Sequence, residues 1–219
     1  MIDFHTHTIL SDGVLLASEL VRRAAVKGYT AMAITDHLDI SNLDLVPKLV
    51  SACRELNGKH GITVLPGVEI THAPPEHLPR LVRYARKAGA QLVNVHGETI
   101  NEPVRPGTNH AALLCDIDIL VHPGLITLDD AKLAARRGIH LEITSRKGHS
   151  YTNGHVAAMA KRAGAKLVIN SDSHAPEDLL TDELARAIAR GAGLSDAEVD
   201  AAFKNSREIV RRKTARRSR

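Results

Sequence analysis

The chain has no tryptophan and only five aromatic residues in 219, two Phe and three Tyr. That leaves little material for the aromatic platforms on which single-stranded nucleic acid is stacked, and so weighs against a dedicated single-strand binder. Cysteine is almost as scarce. Cys53 and Cys115 lie far apart, form no CxxC pair and sit in apolar stretches, so both read as free core thiols. No apolar run approaches the ~18 residues of a membrane span, and the strand pattern starts directly after Met1 without a basic, apolar leader. These absences lead us to expect a soluble, cytoplasmic protein. A surplus of one charge is also lacking along most of the chain. The formal +4 arises because residues 207–219 hold seven Lys/Arg against one acid, a net +6 that leaves the other 206 residues at −2. The run "RRKTARRSR" reads as a solvated tail, with an accessory contact to a polyanion as its alternative. A length of 219 residues suits one large domain, and no Pro/Gly/Ser-rich linker divides it. The expected organisation is a domain over 1–206 and a basic tail over 207–219.

Short apolar runs alternate with longer helical patterns. The strand candidates are "MIDFH", "TAMAITDH", "ITVLPGVEI", "AQLVNVH", "DILVH", "HLEIT" and "KLVINSD". Between them, segments such as "ASELVRRAAVKG", "PEHLPRLVRYARKAG" and "NGHVAAMAKRAG" carry apolar residues at three-to-four spacing and end near a glycine, as helices do. The strands are near-continuous apolar runs, which suits a parallel sheet buried on both faces. This is a seven-fold (β/α) repeat. "GETINEPVRPGTNH" reads as a loop, and the last helix opens with a cap at Ser195 and Glu198.

Histidine is what the sequence has in quantity, thirteen in all. His5 and His7 end the first strand, His37 the second, Glu69 the third, His96 the fourth and His122 the fifth, while Asp172 and His174 follow the seventh and Asp12 lies in the first connecting loop. Only the sixth strand lacks such a residue. In an α/β barrel the C-terminal strand ends meet at one mouth, so these nine residues are expected to converge there. Burying so many imidazoles and carboxylates without partners would cost several kcal/mol, and a metal cluster removes that cost. Asp3 and Asp36 are expected to orient imidazoles. His110 and His149 are candidates for the rim, and the remaining histidines read as surface residues or, at most, as supports behind the site.

In order and spacing, "DFHTH", "SDG", "TDH", "GVE", "VH" with "VHPG", and "SDSH" resemble the motifs of the PHP (polymerase and histidinol phosphatase) family over essentially the whole chain. The resemblance implies a distorted (β/α)7 barrel with a trinuclear metal centre at its mouth. Carried over residue by residue, one metal is held by His5, His7, Glu69 and Asp172, a second by Glu69 with His96 and His122, and a third by Asp12, His37 and His174. No ligand position is missing, which implies a working enzyme rather than a decayed scaffold.

Mixed imidazole and carboxylate ligands suit three divalent transition metals, Zn, Mn or Fe, rather than Mg or Ca. A water shared by two of them becomes hydroxide near neutral pH, and the cluster neutralises phosphate oxygens during in-line displacement. Hydrolysis of a small phosphomonoester follows, with histidinol phosphate the possibility named by the family. Asp172 or His174 is the candidate to protonate the leaving alcohol. Arg105, Arg146 and Lys147, in loops after the fourth and sixth strands, are candidates to hold the phosphate. Ser145, His149, Ser150 and Asn153 make the sixth strand's loop the candidate specificity element. The alternatives are a nuclease or nucleotide phosphatase like the PHP modules of DNA polymerases, and a non-enzymatic RNA-binding barrel.

Overall fold

The computed structural model describes residues 1–215. The strands are β1 (Ile2–Asp3), β2 (Ala31–Ile34), β3 (His37–Leu38), β4 (Thr63–Ile70), β5 (Leu92–His96), β6 (Ile119–Val121), β7 (His140–Thr144) and β8 (Leu167–Asn170). Helices α1 (Ala17–Val26), α2 (Leu45–Leu56), α3 (Leu78–Lys87), α4 (Thr108–Leu113), α5 (Leu128–Arg137), α6 (Asn153–Ala163), α7 (Asp182–Gly191) and α8 (Asp196–Ala215) follow or separate them. Every strand pair is parallel, in the order β1-β2-β4-β5-β6-β7-β8, with β3 also on β4. β2 and β3 are two pieces of one barrel strand. Ala31 faces Thr63 and His37 faces Glu69 in an unbroken register, interrupted only where Thr35 and Asp36 turn their polar groups to the first strand. The barrel thus has the seven positions expected from the sequence and is an α/β fold, a distorted (β/α)7 barrel.

Closure falls at the mouth. Thr6 and Ser173 form a parallel bridge in which His7 N–H donates to the Ser173 carbonyl (2.8 Å) and Ser173 N–H to that of His5 (3.2 Å). The segment carrying His5 and His7 is thereby stitched to the one carrying Asp172 and His174. β2, β5, β6, β7 and β8 are buried at every residue, as continuous apolar runs in a doubly covered sheet require. Phe4, Ala33, Leu65, Leu92, Ile119, Val121 and Val168 fill a small interior cluster that Ile209 of α8 joins.

Two sequence expectations are corrected. "GETINEPVRPGTNH" runs into a short helix, α4, at its end. The boundary drawn at 206/207 falls inside α8, which continues to Ala215. Val199, Ala202, Ser206, Ile209 and Lys213 recur at three-to-four spacing on its buried face, a periodicity the crowd of charges conceals. Lys213 is buried against Asp118 (2.6 Å), which also pairs with Arg86 and Arg212. Residues 207–215 are therefore part of the domain, and the rest of the basic run, 216–219, lies outside the described residues. Ser195 and Glu198 cap α8 reciprocally, as expected. Among the described residues no helix is long and apolar enough to cross a membrane.

Candidate metal centre

The nine residues named from strand ends and the first connecting loop converge on the mouth. Glu69, fully buried at the end of β4, is the hub. Its Oε2 lies 2.9 Å from His37 Nδ1, 3.2 Å from His5 Nε2 and 3.6 Å from His7 Nε2, and its Oε1 lies 3.5 Å from His122 Nε2. Asp172 meets four imidazoles, with Oδ1 at 3.3 Å from His7, 3.4 Å from His174 and 3.5 Å from His5, and Oδ2 at 3.8 Å from His122. Asp12, half exposed, reaches in from the first loop to His174 Nε2 (3.2 Å) and His37 Nε2 (3.3 Å). His96 follows on the β5 side, its ring centroid 4.3 Å from that of His122. Gly97 permits that approach, since a Cβ there would lie 2.5 Å from the Val121 carbonyl oxygen. Among the described residues the non-glycine positions in the left-handed region are His72, His122 and Asp172, all lining this cavity. Such strain, about 1–3 kcal/mol each, is retained where function holds it.

The donor set fits divalent cations. Among the described residues, five sets of ligand atoms close enough to share an ion involve the expected residues: His7, Asp12, His37 and His174; His5, His7 and Asp172; His5, Glu69 and His122; His96 with His122 and His149; and His96 with His72 and Glu102. His5 Nε2, both ring nitrogens of His7, both oxygens of Glu69 and Nδ1 of His122 are buried without a hydrogen-bond partner. Each such atom costs about 1–3 kcal/mol, and cations among them remove that cost. The electrostatics agree in sign. Burial opposes charge throughout, yet Asp172, Glu142 and Glu69 hold the His5 imidazole well above its ordinary range, and Glu69 and Asp12 push His37 up to about 10. Burial would likewise raise the carboxyls, but His5 and His37 hold Glu69, and His5 and His7 hold Asp172, well below the usual range. These carboxylates gather positive charge.

A family model, the PHP domain, matches residues 3–211. The chain belongs to the PHP domain family. An uncharacterized protein of Methanocaldococcus jannaschii is 49% identical over 201 residues, covering 90% of this chain and 92% of its own. A "Probable phosphatase" of Shewanella pealeana is 30% identical over 203 residues, 80% of this chain and 77% of that one. Among solved structures, a chain of an archaeal ribonuclease P bound to mature tRNA superposes with a TM-score of 0.72 at 15% identity, over 97% of this chain and 91% of that one. The histidinol phosphate phosphatase of Lactococcus lactis, complexed with zinc, L-histidinol and phosphate, superposes with a TM-score of 0.63 at 18% identity, over 89% and 94%. At those identities the two structures bear on the fold alone.

Within this PHP domain the expected substrate residues divide. Arg146 lines the metal cavity, of about 280 Å³, and its guanidinium donates to Asp178 (3.3 Å). Lys147 lines an adjoining cleft of about 750 Å³ with Tyr151 and Glu177. Arg105 does not line the cavity; it is exposed and paired with Glu76 (3.0 Å), because the loop that carries it turns outward before α4. His110 is likewise outside, exposed on α4 and paired with Asp130. His149 lines the cavity, whereas Asn153 is spent on the β7 backbone of Thr144. Asp3 and Asp36 do not orient imidazoles. Asp3 accepts from the backbone N–H of His5 and Ser171, and Asp36 from the backbone N–H and hydroxyl of Thr8 and the hydroxyl of Ser11, so both fix the loops that carry the clustered imidazoles. Glu142 of β7, on the strand credited with no site residue, holds the His5 ring instead. Its Oε1 lies 2.9 Å from His5 Nδ1, and its Oε2 accepts from His122 N–H (3.0 Å). Glu102 and His72, both on the cavity wall, were also missed.

Proposed function

We propose that this PHP domain is a metal-dependent phosphoesterase that hydrolyses a small phosphomonoester, with His5, His7, Asp12, His37, Glu69, His96, His122, Asp172 and His174 holding three divalent transition metals, Zn, Mn or Fe. The observation that carries it is the convergence of nine imidazole and carboxylate side chains, several with partnerless buried atoms, seven of them lining one cavity and His5 and His7 buried against its Glu69 and Asp172. Bound there, such ions supply Lewis acidity toward phosphate oxygens and a nucleophilic water near neutral pH. The chain's own residues do the rest. Glu142 fixes the His5 ring, and the hydrogen bonds accepted by Asp3 and Asp36 hold the loops that present the imidazoles. Arg146 reaches the cavity wall, where its planar fork suits a phosphoryl group. Of the two candidates to protonate the leaving alcohol, His174 faces the cavity at 13% exposure while Asp172 lies beneath four imidazoles.

The cavity and the adjoining cleft share Arg146 on their walls, so the leaving group can extend toward that cleft. That cleft, with Lys147 and the exposed ring of Tyr151 on its wall, favours a second reading, a nucleotide phosphatase or nuclease. A screen of zinc- and manganese-loaded protein against phosphomonoesters, nucleotides and short oligonucleotides separates the two. Metal-dependent turnover of small phosphomonoesters is expected. Turnover of oligonucleotides alone establishes the second reading, and no turnover of any class removes both.

A further inference from the structure

Glu102, in the loop between β5 and α4, stands at the outer edge of the metal cavity, and three imidazoles converge on its carboxylate. Its Oε2 lies 3.0 Å from His72 Nε2 and 3.1 Å from His96 Nε2, and its Oε1 lies 3.2 Å from His149 Nε2. His96 places its other nitrogen, Nδ1, 3.1 Å from the Gly97 carbonyl, and His149 places Nδ1 3.0 Å from the Thr99 hydroxyl. A carbonyl only accepts, so Nδ1 of His96 keeps its proton, and Nε2 meets the carboxylate either as the second N–H of an imidazolium, which Glu102 and Glu69 favour against burial, or, when His96 is neutral, as a bare lone pair. In the neutral form two acceptors in contact repel, and a positive ion belongs between them. An imidazole tied through one nitrogen to a main-chain carbonyl and aimed with the other is also the usual posture of a metal-bound histidine. The spacing agrees, because donors around a tetrahedral ion with bonds of ~2.0 Å sit roughly 3.3 Å apart.

His96 belongs to two groups whose ligand atoms lie close enough to share an ion, one with His72 and Glu102 and one toward the inner centre. His96, His122 and His149 can share one ion, and the His122 and His149 rings stack at 4.1 Å. The two loops that bring Glu102 and His149 together interlock: a Cβ at Gly148 would lie 2.5 Å from the Asn101 side chain.

We propose that Glu102 and His149 complete the coordination of the cation held by His96 and His122, and that His72 clamps Glu102 in place by a hydrogen bond from outside. This rests on the reading of the mouth as a cation centre and adds one carboxylate and one imidazole to the nine ligands.

The test is metal content at buffered free zinc, by elemental analysis of intact wild type and of Glu102→Ala, Glu102→Gln and His72→Ala, with thermal unfolding of each. Glu102 is part-exposed on a loop, so folding should survive its replacement. Glu102→Ala and Glu102→Gln should retain one equivalent fewer than wild type, or bind one equivalent about 10–100-fold more weakly, and His72→Ala should fall between. Wild-type zinc content and affinity in both Glu102 variants would overturn the assignment while leaving the proposed function standing. A wild type that binds no zinc would overturn both.

Discussion

At the scale of single residues, the strand-end histidines were legible because each closes an apolar run, where a polar side chain has no other reason to be. Glu142 was not, since inside "HLEIT" it looks like ordinary strand alternation, and Glu102 was hidden in a loop with no periodicity to mark it. The proposed roles differ in the size of their effects. His5→Ala or Asp172→Ala should abolish phosphoester hydrolysis with the barrel still folded, because each removes a metal-facing group. Glu142→Gln, which loosens only the His5 ring, should cost about 10–100-fold. Assays at saturating metal check this, and full turnover in His5→Ala would refute it. Arg146→Met should lower kcat/KM roughly tenfold or more through loss of a charge-assisted contact. Lys147→Met should leave small substrates unaffected and weaken only those that fill the adjoining cleft; steady-state kinetics on a short and a long ester distinguish the two. A residue far from the mouth sets a pH response. Burial, with Arg212 and Lys166 nearby, pushes the His140 imidazole from 6.5 down to about 4. Between those values the unfolded chain takes up a proton that the folded chain refuses, so acidification through that window costs stability. Urea midpoints at pH 7 and pH 4.5 should fall less in His140→Gln than in wild type, and parallel falls would contradict the assignment.

At the scale of elements, the strands and most helices could be read from their periods, and the misreadings came where charge or irregularity masks a pattern. α8 is the clearest case. Its buried positions recur regularly, but seven cations crowd the stretch from Arg207, and one of them, Lys213, is itself a buried position. Asp118, 5% exposed just before β6, holds that ammonium together with Arg86 and Arg212. Asp118→Ala should therefore cost about 3–5 kcal/mol, since it leaves a buried charge unpaired. Lys213→Met, which leaves Asp118 two partners, should cost far less. Chemical denaturation of both variants checks the ordering, and an Asp118→Ala protein within 1 kcal/mol of wild type would refute it. Ending the chain after Lys213 keeps the pair and should change neither stability nor small-substrate kinetics.

At the scale of the whole molecule, topology alone turns residues spread from His5 to His174 into one site. Seven parallel strands point their C-terminal ends to one mouth, and the Thr6–Ser173 bridge joins the first ligand segment to the last. That convergence followed from the alternation of strand and helix in the sequence. The loop contacts that bring Glu102, His72 and His149 to the same cavity depend on tertiary packing between loops, which no local pattern encodes. The central claim is that this cavity is built for cations. The most direct measurement is the zinc, manganese and iron content of the purified protein, before and after reconstitution. Close to three ions per chain are predicted, whereas well under one, with no uptake on reconstitution, would contradict it.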